Sequence, residues 1–191
     1  MLFVSVPAKR VTGWYRNLHS ETPKAVLVML DQAYSELQFG AYRQAIDTFS
    51  ACLVVSPREA DAFRGRGTAH FELKDWDSAK ADFQKAREIK PEDPENWIGL
   101  GMSFAMDLKL HPAVEVMEAS LEKHPAYLRG YLMLGLLLMR IGATQKGKAC
   151  LQRALDLGPS GPERRLIETQ LLRQDDGDVP SHEQRRSGLA F

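Results

Sequence analysis

The sequence predicts an all-α fold in which short pairs of antiparallel helices repeat along the chain and stack on one another. Three observations predict this fold. Prolines recur every 34 residues, apolar residues follow helical spacing on both sides of a tight turn, and small residues recur at fixed places in each repeat. In such a chain each repeat contacts only its neighbours, so that stability adds along the stack.

The clearest repeat covers residues 63–91. Its first half places Phe63 and Phe71 on one face of a predicted helix, and its second half begins another apolar face at Trp76. The break between the two halves is long enough only for a tight antiparallel turn. Pro91 ends the second helix, because proline cannot continue a helix from inside it.

The same features return in four consecutive units. The closing prolines are Pro57, Pro91, Pro125 and Pro159. The small residues of the first helices are Ala33, Gly67, Gly101 and Gly135. Those of the second helices are Ala45, Ala79, Ala113 and Gly147. Small residues at these places allow the two helices of a pair to approach closely, and larger side chains fill the space around each contact.

The period of 34 residues with two helices per unit resembles the tetratricopeptide repeat (TPR) family. The four repeats are predicted at 24–57, 58–91, 92–125 and 126–159. The resemblance implies a right-handed superhelix, an α-solenoid whose first helices line a concave groove. The turn glycine of the family is present at Gly40 and Gly142, whereas the two middle repeats have Lys74 and Leu108 there.

The segment before the repeats, residues 1–22, is basic and amphipathic. Val11, Trp14, Tyr15 and Leu18 follow helical spacing, and residues 1–20 carry three basic residues and no acid before Glu21. Three interpretations remain open: an extra helix packed on the first repeat, a surface anchor for a membrane or partner, and a mitochondrial presequence.

The repeats and a final helix form the predicted TPR domain, residues 23–174. Its final helix, residues 162–174, carries charges between apolar residues, which is typical of the cap that shields the open end of a solenoid. Residues 175–191 lack periodicity and are predicted to be a disordered tail.

Composition excludes several classes of function. The chain has 25 basic and 25 acidic residues, whereas a general nucleic-acid binder needs an excess of positive charge.

Cys52 and Cys150 lie in different repeats at positions expected to face inward, so that we expect two buried free thiols. Free thiols favour a reducing compartment, and a cytoplasmic location is predicted, with a mitochondrial one as the alternative. No apolar run approaches the length of a membrane span.

The sequence contains no motif that indicates catalysis. Metal-binding pairs, a phosphate-binding loop and a nucleophile elbow are all missing, so we expect no enzyme activity, no catalytic residue, no cofactor and no metal site. Gly65 and Gly67 resemble the start of a nucleotide fingerprint, but they lie within a predicted helix. His70 is expected to be a satisfied core histidine, and His111 and His124 are expected at the surface.

The TPR resemblance implies a binding groove lined by the first helices. The predicted partner-binding residues are Leu30, Tyr34, Leu37, Arg64, Thr68, Phe71, Ile98, Met102, Met106, Arg129, Leu132, Leu136 and Met139. This lining is mainly apolar and contains methionines, which adapt to varied apolar partners. Two alternatives are that these residues pack between the first helices, and that the Val11–Leu18 stripe fills the groove.

Some co-chaperones of the family clamp a partner's terminal carboxylate with basic and amide side chains. A clamp starting at the first repeat would find Leu30, Tyr34, Gly65, Glu95 and Gly99 at its positions here. A clamp starting one repeat later would find only Arg64 and Arg129. The carboxylate clamp is therefore expected to be missing or incomplete.

The predicted function is that of a non-catalytic protein-interaction module: an adaptor, scaffold or chaperone-like subunit. Its partner is expected to be an apolar or amphipathic protein segment and not nucleic acid. Membrane contact is expected only through residues 1–20, and the protein is expected to be a monomer or weak dimer. The alternative function is a structural subunit of a larger assembly that uses the repeat stack to oligomerise.

Overall fold

The computed structural model describes residues 24–175, and this part of the chain contains nine α-helices. They are α1 Lys24–Gln38, α2 Tyr42–Val55, α3 Ala60–Glu72, α4 Trp76–Ile89, α5 Pro94–Met106, α6 Leu110–Lys123, α7 Leu128–Arg140, α8 Thr144–Asp156 and α9 Gly161–Asp175. The predictions for residues 1–22 and for the tail beyond Asp175 lie outside the described residues.

The helices form two compact units, the first ending at Lys123 and the second beginning at His124. In the first unit consecutive helices pack on each other, and α3 also contacts both α1 and α5. In the second unit α8 packs on α7 and on α9. The predicted all-α solenoid of helix pairs is confirmed.

Small residues allow the two helices of each pair to meet. A Cβ atom on Gly101 would lie 2.7 Å from Cγ of Met117, and one on Gly135 would lie 2.8 Å from Cδ2 of Leu151. Such distances are shorter than real Cβ contacts, and Met117 and Leu151 are both fully buried. A larger residue at either glycine would therefore have to displace a packed side chain.

A second set of glycines allows successive pairs in the first unit to meet. A Cβ on Gly65 in α3 would lie 2.1 Å from Cζ of Phe49 in α2. The same contact recurs one repeat later, where a Cβ on Gly99 in α5 would lie 2.4 Å from Cε1 of Phe83 in α4. An aromatic ring of each second helix thus rests on a glycine of the next first helix, and this contact joins one repeat to the next.

The turns between the paired helices share one capped geometry. The amide of the third residue after the first helix donates to a carbonyl five residues back: Ala41 to Glu36, Asp75 to His70, Lys109 to Phe104 and Ala143 to Leu138. This capping requires a left-handed residue just before that amide. Gly40 and Gly142 meet the requirement with φ of 74° and 85°, whereas Lys74 and Leu108 adopt φ of 63° and 60° without being glycine.

Helix α9 closes the second unit. Ser160 precedes it and donates through its backbone N–H and its hydroxyl to the carboxylate of Glu163, at 3.1 and 2.6 Å. Ile167 is fully buried in a cluster with Leu132 and Leu151. Among the described residues, no helix is both long enough and apolar enough to cross a membrane.

Candidate protein-binding site

The predicted groove residues separate into two groups by burial. Five are buried, with 2–8% of their surface exposed: Leu30, Phe71, Ile98, Leu132 and Met139. These side chains fill the space between helices, so in this structure they belong to the core beneath the predicted groove and are not open to a partner. The remaining eight are half-buried or exposed, namely Tyr34, Leu37, Arg64, Thr68, Met102, Met106, Arg129 and Leu136.

In the first repeat, the predicted groove residues mostly pack against other residues of the protein. Tyr34 meets the ring of Phe49 edge-on at 5.1 Å between centroids, and its hydroxyl donates to the backbone carbonyl of Asp61 at 2.8 Å. Leu37 packs against the same cluster, which contains Leu30 and Phe49. Tyr34 thus joins the first repeat to the second, and only part of its surface faces outward.

Arg64 is held by two carboxylates of the chain itself. Its guanidinium donates to Oδ1 of Asp61 at 2.7 Å and to Oδ2 of Asp93 at 2.9 Å. The second oxygen of Asp61 accepts from Nζ of Lys90 at 2.7 Å. Because Asp93 also caps the start of α5 by accepting from the backbone of Glu95, Arg64 ties the second repeat to the third.

The third repeat supplies the most accessible apolar surface among the predicted residues. Met106, at the end of α5, is 38% exposed. Met102 lies one turn earlier and is half-buried against a cluster that contains Phe71, Phe83 and Leu100. The two methionines therefore share one side of α5, partly supported by the core and partly open.

In the second unit, the predicted residues lie on α7. Leu132 and Met139 belong to the core formed with α8 and α9, and Leu136 is half-buried against the same core. Arg129 is half-buried near the start of the helix. This unit therefore offers less open apolar surface at the predicted positions than α5 does.

Sequence reasoning missed a polar cluster that joins the first two repeats. Arg66 donates to both oxygens of Asp82, at 2.9 and 2.8 Å, and to the hydroxyl of Ser50 at 3.1 Å. Asp82 is only 5% exposed, so this paired geometry compensates the burial of its charge. Arg66 and Asp82 are 16 residues apart on neighbouring antiparallel helices, and that spacing is the signal that could have indicated the pair.

His70 lies beside this cluster, as a partly buried histidine with partners. Its Nδ1 is 3.3 Å from Oδ2 of Asp75, and its Nε2 is 3.8 Å from Oδ2 of Asp82. The expectation of a satisfied core histidine agrees with this placement. His111 is 86% exposed at its side chain, whereas His124 is half-buried with a buried Nε2, so the expected surface position of His124 is wrong.

A further cationic group stabilises the junction between the second and third repeats. Lys80 donates to Asp107 at the end of α5 and contacts Asp77 at 2.8 Å. Burial opposes the charged form of Lys80, but the hydrogen bonds to Asp107 and Asp77 outweigh it and raise the lysine pKa. The hydrogen bonds that Lys109 and Lys80 donate lower the pKa of Asp107. Both groups therefore remain ionised at neutral pH.

Trp97 is packed between two cations on neighbouring helices. The guanidinium of Arg87 lies 4.7 Å from the ring centroid and Nζ of Lys123 lies 4.8 Å from it. The indole N–H donates to the carbonyl of Pro91 at 2.9 Å. Trp97 is only 8% exposed, so these contacts make it a structural residue of the third repeat.

The described residues contain no group of three histidine, cysteine or acidic side chains that could hold a metal ion. Neither cysteine is in a disulfide. Cys52 is fully buried, and burial together with the charge of Glu59 raises the pKa of its thiol to about 11. Cys150 is half-buried, so the prediction that it is a buried thiol is wrong.

When the chain is compared with known proteins, each of its two units matches the same protein family. Models of the tetratricopeptide repeat match residues 30–94 and residues 128–160. Superkiller protein 3 of Saccharomyces cerevisiae is 28% identical over 65 residues, which are 34% of this chain and 4% of that protein. The alignment thus spans only a small part of that relative.

Two solved structures have similar folds at low identity. TTC0263, a thermophilic TPR protein in Thermus thermophilus, matches with a TM-score of 0.71 and 16% identity, covering 81% of this chain and 85% of that one. The first TPR of Spaghetti (RPAP3), bound to the HSP90 peptide SRMEEVD, matches with a TM-score of 0.57 and 21% identity. That match covers 61% of this chain and 93% of the other.

Proposed function

The chain belongs to the tetratricopeptide repeat family, and we propose that it binds an apolar or amphipathic segment of another protein on the side formed by its first helices. The fold is that of a protein-interaction module, a class that is typically non-catalytic. We propose the same for this chain: an adaptor, scaffold or chaperone-like role without enzyme activity.

The observation that carries the proposal is the partly open methionine surface of α5. Met102 and Met106 lie on one side of that helix, and Met106 keeps 38% of its surface exposed. Fully burying an exposed side chain of this size is worth about 1.5–3 kcal/mol, and each methionine would add the part of this that corresponds to its open surface. Exposed ion pairs are worth at most about 1 kcal/mol and weaken in salt, so we expect the apolar contacts to contribute at least as much to binding.

The state of Arg64 supports an apolar mode over a carboxylate clamp. One of the structurally similar domains is bound to the acidic HSP90 peptide SRMEEVD. In this chain Arg64 already donates to Asp61 and Asp93. A partner's carboxylate would have to compete with two internal carboxylates that are already in hydrogen-bonding geometry.

The proposal is tested by quantitative capture from the native source, followed by mass spectrometry. We expect the double variant Met102→Gln with Met106→Gln to lose the proteins that the parent captures, because the lengths are kept and the apolar character is removed. Val54→Gln is the matched control, since Val54 is 83% exposed on α2. It should capture the same proteins as the parent.

Two further variants separate the apolar mode from an electrostatic one. Arg64→Ala should weaken capture less than the methionine variant does. Raising the salt concentration should also change little, because salt screens charges and leaves apolar contacts in place. The proposal fails if Arg64→Ala is the more damaging change or if moderate salt alone releases the partner.

A further inference from the structure

Helix α1 is exposed at places where the other first helices are buried. Val28 is 66% exposed. Its place is buried in each of the following repeats, at Ala62, Asn96 and Gly130. Ser35 is exposed as well, and its place is buried at Ala69, Ser103 and Leu137. We call Val28, Asp31 and Ser35 the open face of α1, because all three are exposed and their spacing puts them on one side of the helix.

The equivalent face of α3 packs against the second helix of the repeat before it. Ala62 and Ala69 belong to the same buried cluster as Phe49 and Cys52 of α2. Between these two alanines Gly65, which has the place of Asp31, faces the ring of Phe49. The open face of α1 is therefore the surface on which this fold docks one more second helix.

Residues 8–19, which lie outside the described residues, have the sequence pattern of such a helix. Pro23 lies 34 residues before Pro57, so it extends the series of closing prolines by one unit. The same period places Tyr15 where the second helices of the four repeats have a large apolar residue: Phe49, Phe83, Met117 and Leu151. Val11, Tyr15 and Leu18 follow helical spacing and would form the face that meets α1.

One pair of residues distinguishes this joint from the later ones. The later joints of the first unit place a phenylalanine ring on a glycine: Phe49 on Gly65 and Phe83 on Gly99. The same two places one repeat earlier are Tyr15 and Asp31. The Cβ of Asp31 prevents a ring from lying as close to α1, whereas the hydroxyl of tyrosine can donate to the aspartate carboxylate. The two differences therefore compensate each other.

The connector and the charges also fit docking on α1. Because α1 begins at Lys24, a helix ending at residue 19 leaves four residues for the connector, as many as separate α2 from α3. Residues 8–19 carry three basic side chains and no acid. One of them, Arg16, has the place of Ser50, whose hydroxyl lies 3.1 Å from Arg66 across the joint between α2 and α3. Arg16 would thus lie beside Asp31.

We propose that residues 8–19 form a helix that docks antiparallel on the open face of α1, with the hydroxyl of Tyr15 donating to Asp31. Val11 and Leu18 are larger than Ala45 and Cys52, which occupy the same places in α2 and are fully buried. Larger side chains there favour a single helix over a complete further repeat. The docked helix closes this end of the stack to a second copy of the chain.

Hydrogen exchange and NMR of the full-length, isotope-labelled protein test this arrangement. We expect the amides of residues 8–19 to exchange at least about tenfold more slowly than those of an unstructured chain. Such protection indicates docking, because an isolated helix of about 12 residues is marginal in water. The ring protons of Tyr15 should show NOEs to the methyl groups of Val28. Both signals should be independent of protein concentration.

Matched variants locate the docking surface. Val28→Gln should lower the protection of residues 8–19 about tenfold, because it removes apolar surface that the segment covers. Val54→Gln makes the same change at an exposed valine of α2 and should leave the protection as it is in the parent. The Met102→Gln and Met106→Gln variant should also leave it unchanged, which separates this contact from the proposed function of the α5 methionines.

A second set of variants tests the pairing of Tyr15 with Asp31. Tyr15→Phe and Asp31→Gly should each lower the protection of residues 8–19. The double variant should recover most of it, because it rebuilds the contact that Phe49 makes with Gly65. The α3 amides report on the fold itself and should remain protected in all three variants.

Four results would overturn the proposal. Rapid exchange of residues 8–19 would show that the segment does not dock. Protection that appears only with vesicles containing anionic lipid would assign the segment to a membrane surface. Protection that rises together with dimer formation would assign the open face to a second copy of the chain. Unchanged protection in Val28→Gln, or no recovery in the double variant, would place the helix on another surface.

Discussion

The helix contacts and the turns of this protein follow the repeat pattern to different degrees. Within each helix pair, glycine or alanine occupies the position of closest approach, as at Gly101 against Met117. At the turns, two of the four left-handed positions have Lys74 and Leu108 in place of glycine. The small residues at the contacts favour the fold, whereas Lys74 and Leu108 keep a left-handed strain that glycine would remove.

The largest expected effect comes from filling a contact between repeats. Gly65→Ala should destabilise the protein by about 3 kcal/mol, because the added Cβ would lie 2.1 Å from a fully buried ring atom of Phe49. Gly99→Ala should behave in the same way against Phe83. Urea unfolding followed by circular dichroism measures both.

Gly161→Ala is the control for these variants, since its Cβ would meet only the end of Arg165 at 3.7 Å. It should unfold within about 0.5 kcal/mol of the parent. Equal stability of Gly65→Ala and the parent would show that the second repeat does not dock on the first as described.

An intermediate effect is expected at the Arg66–Asp82 pair, which joins the two helices of the second repeat. Asp82→Ala should cost about 2 kcal/mol, because Arg66 loses a two-point partner in a largely buried site. The effect stays below that of a fully buried pair, since 24% of the Arg66 side chain is exposed. The same urea titration measures the change.

Asp77→Ala provides the comparison for Asp82→Ala. Asp77 also pairs with a cation, Lys80, but its side chain is 90% exposed. Its removal should change stability by at most about 0.5 kcal/mol. If Asp77→Ala and Asp82→Ala lower the stability by the same amount, burial does not decide the strength of these ion pairs.

How far the sequence predicts this structure depends on the kind of feature. Helix pairs and their contacts were predictable, because a 34-residue period and small residues such as Gly135 leave a regular signal. The role of Gly65 could not be predicted from the sequence. A glycine within a helix does not show that the ring of Phe49 packs directly against it. For Arg64 the resemblance predicted a groove position, but only coordinates reveal that Asp61 and Asp93 already bind its guanidinium.

Burial of the groove residues follows their place in the 34-residue repeat. One place is half-buried in all four repeats, at Tyr34, Thr68, Met102 and Leu136. The place four residues earlier is buried at Leu30, Ile98 and Leu132. Arg64 shares the place of Leu30 but is half-buried, and the sequence does not show that carboxylates of the chain itself hold it there.

Apart from the control variants, the smallest effect is the most direct test of the comparison between contacts and turns. Leu108→Gly removes a left-handed strain of roughly 1–2 kcal/mol and adds back roughly 0.4–1 kcal/mol of chain entropy in the unfolded state. The urea unfolding midpoint of Leu108→Gly should therefore rise, by the equivalent of about 0.5–1 kcal/mol. A midpoint equal to or below that of the parent would contradict the account, because Leu108 would then carry no net strain in the folded protein.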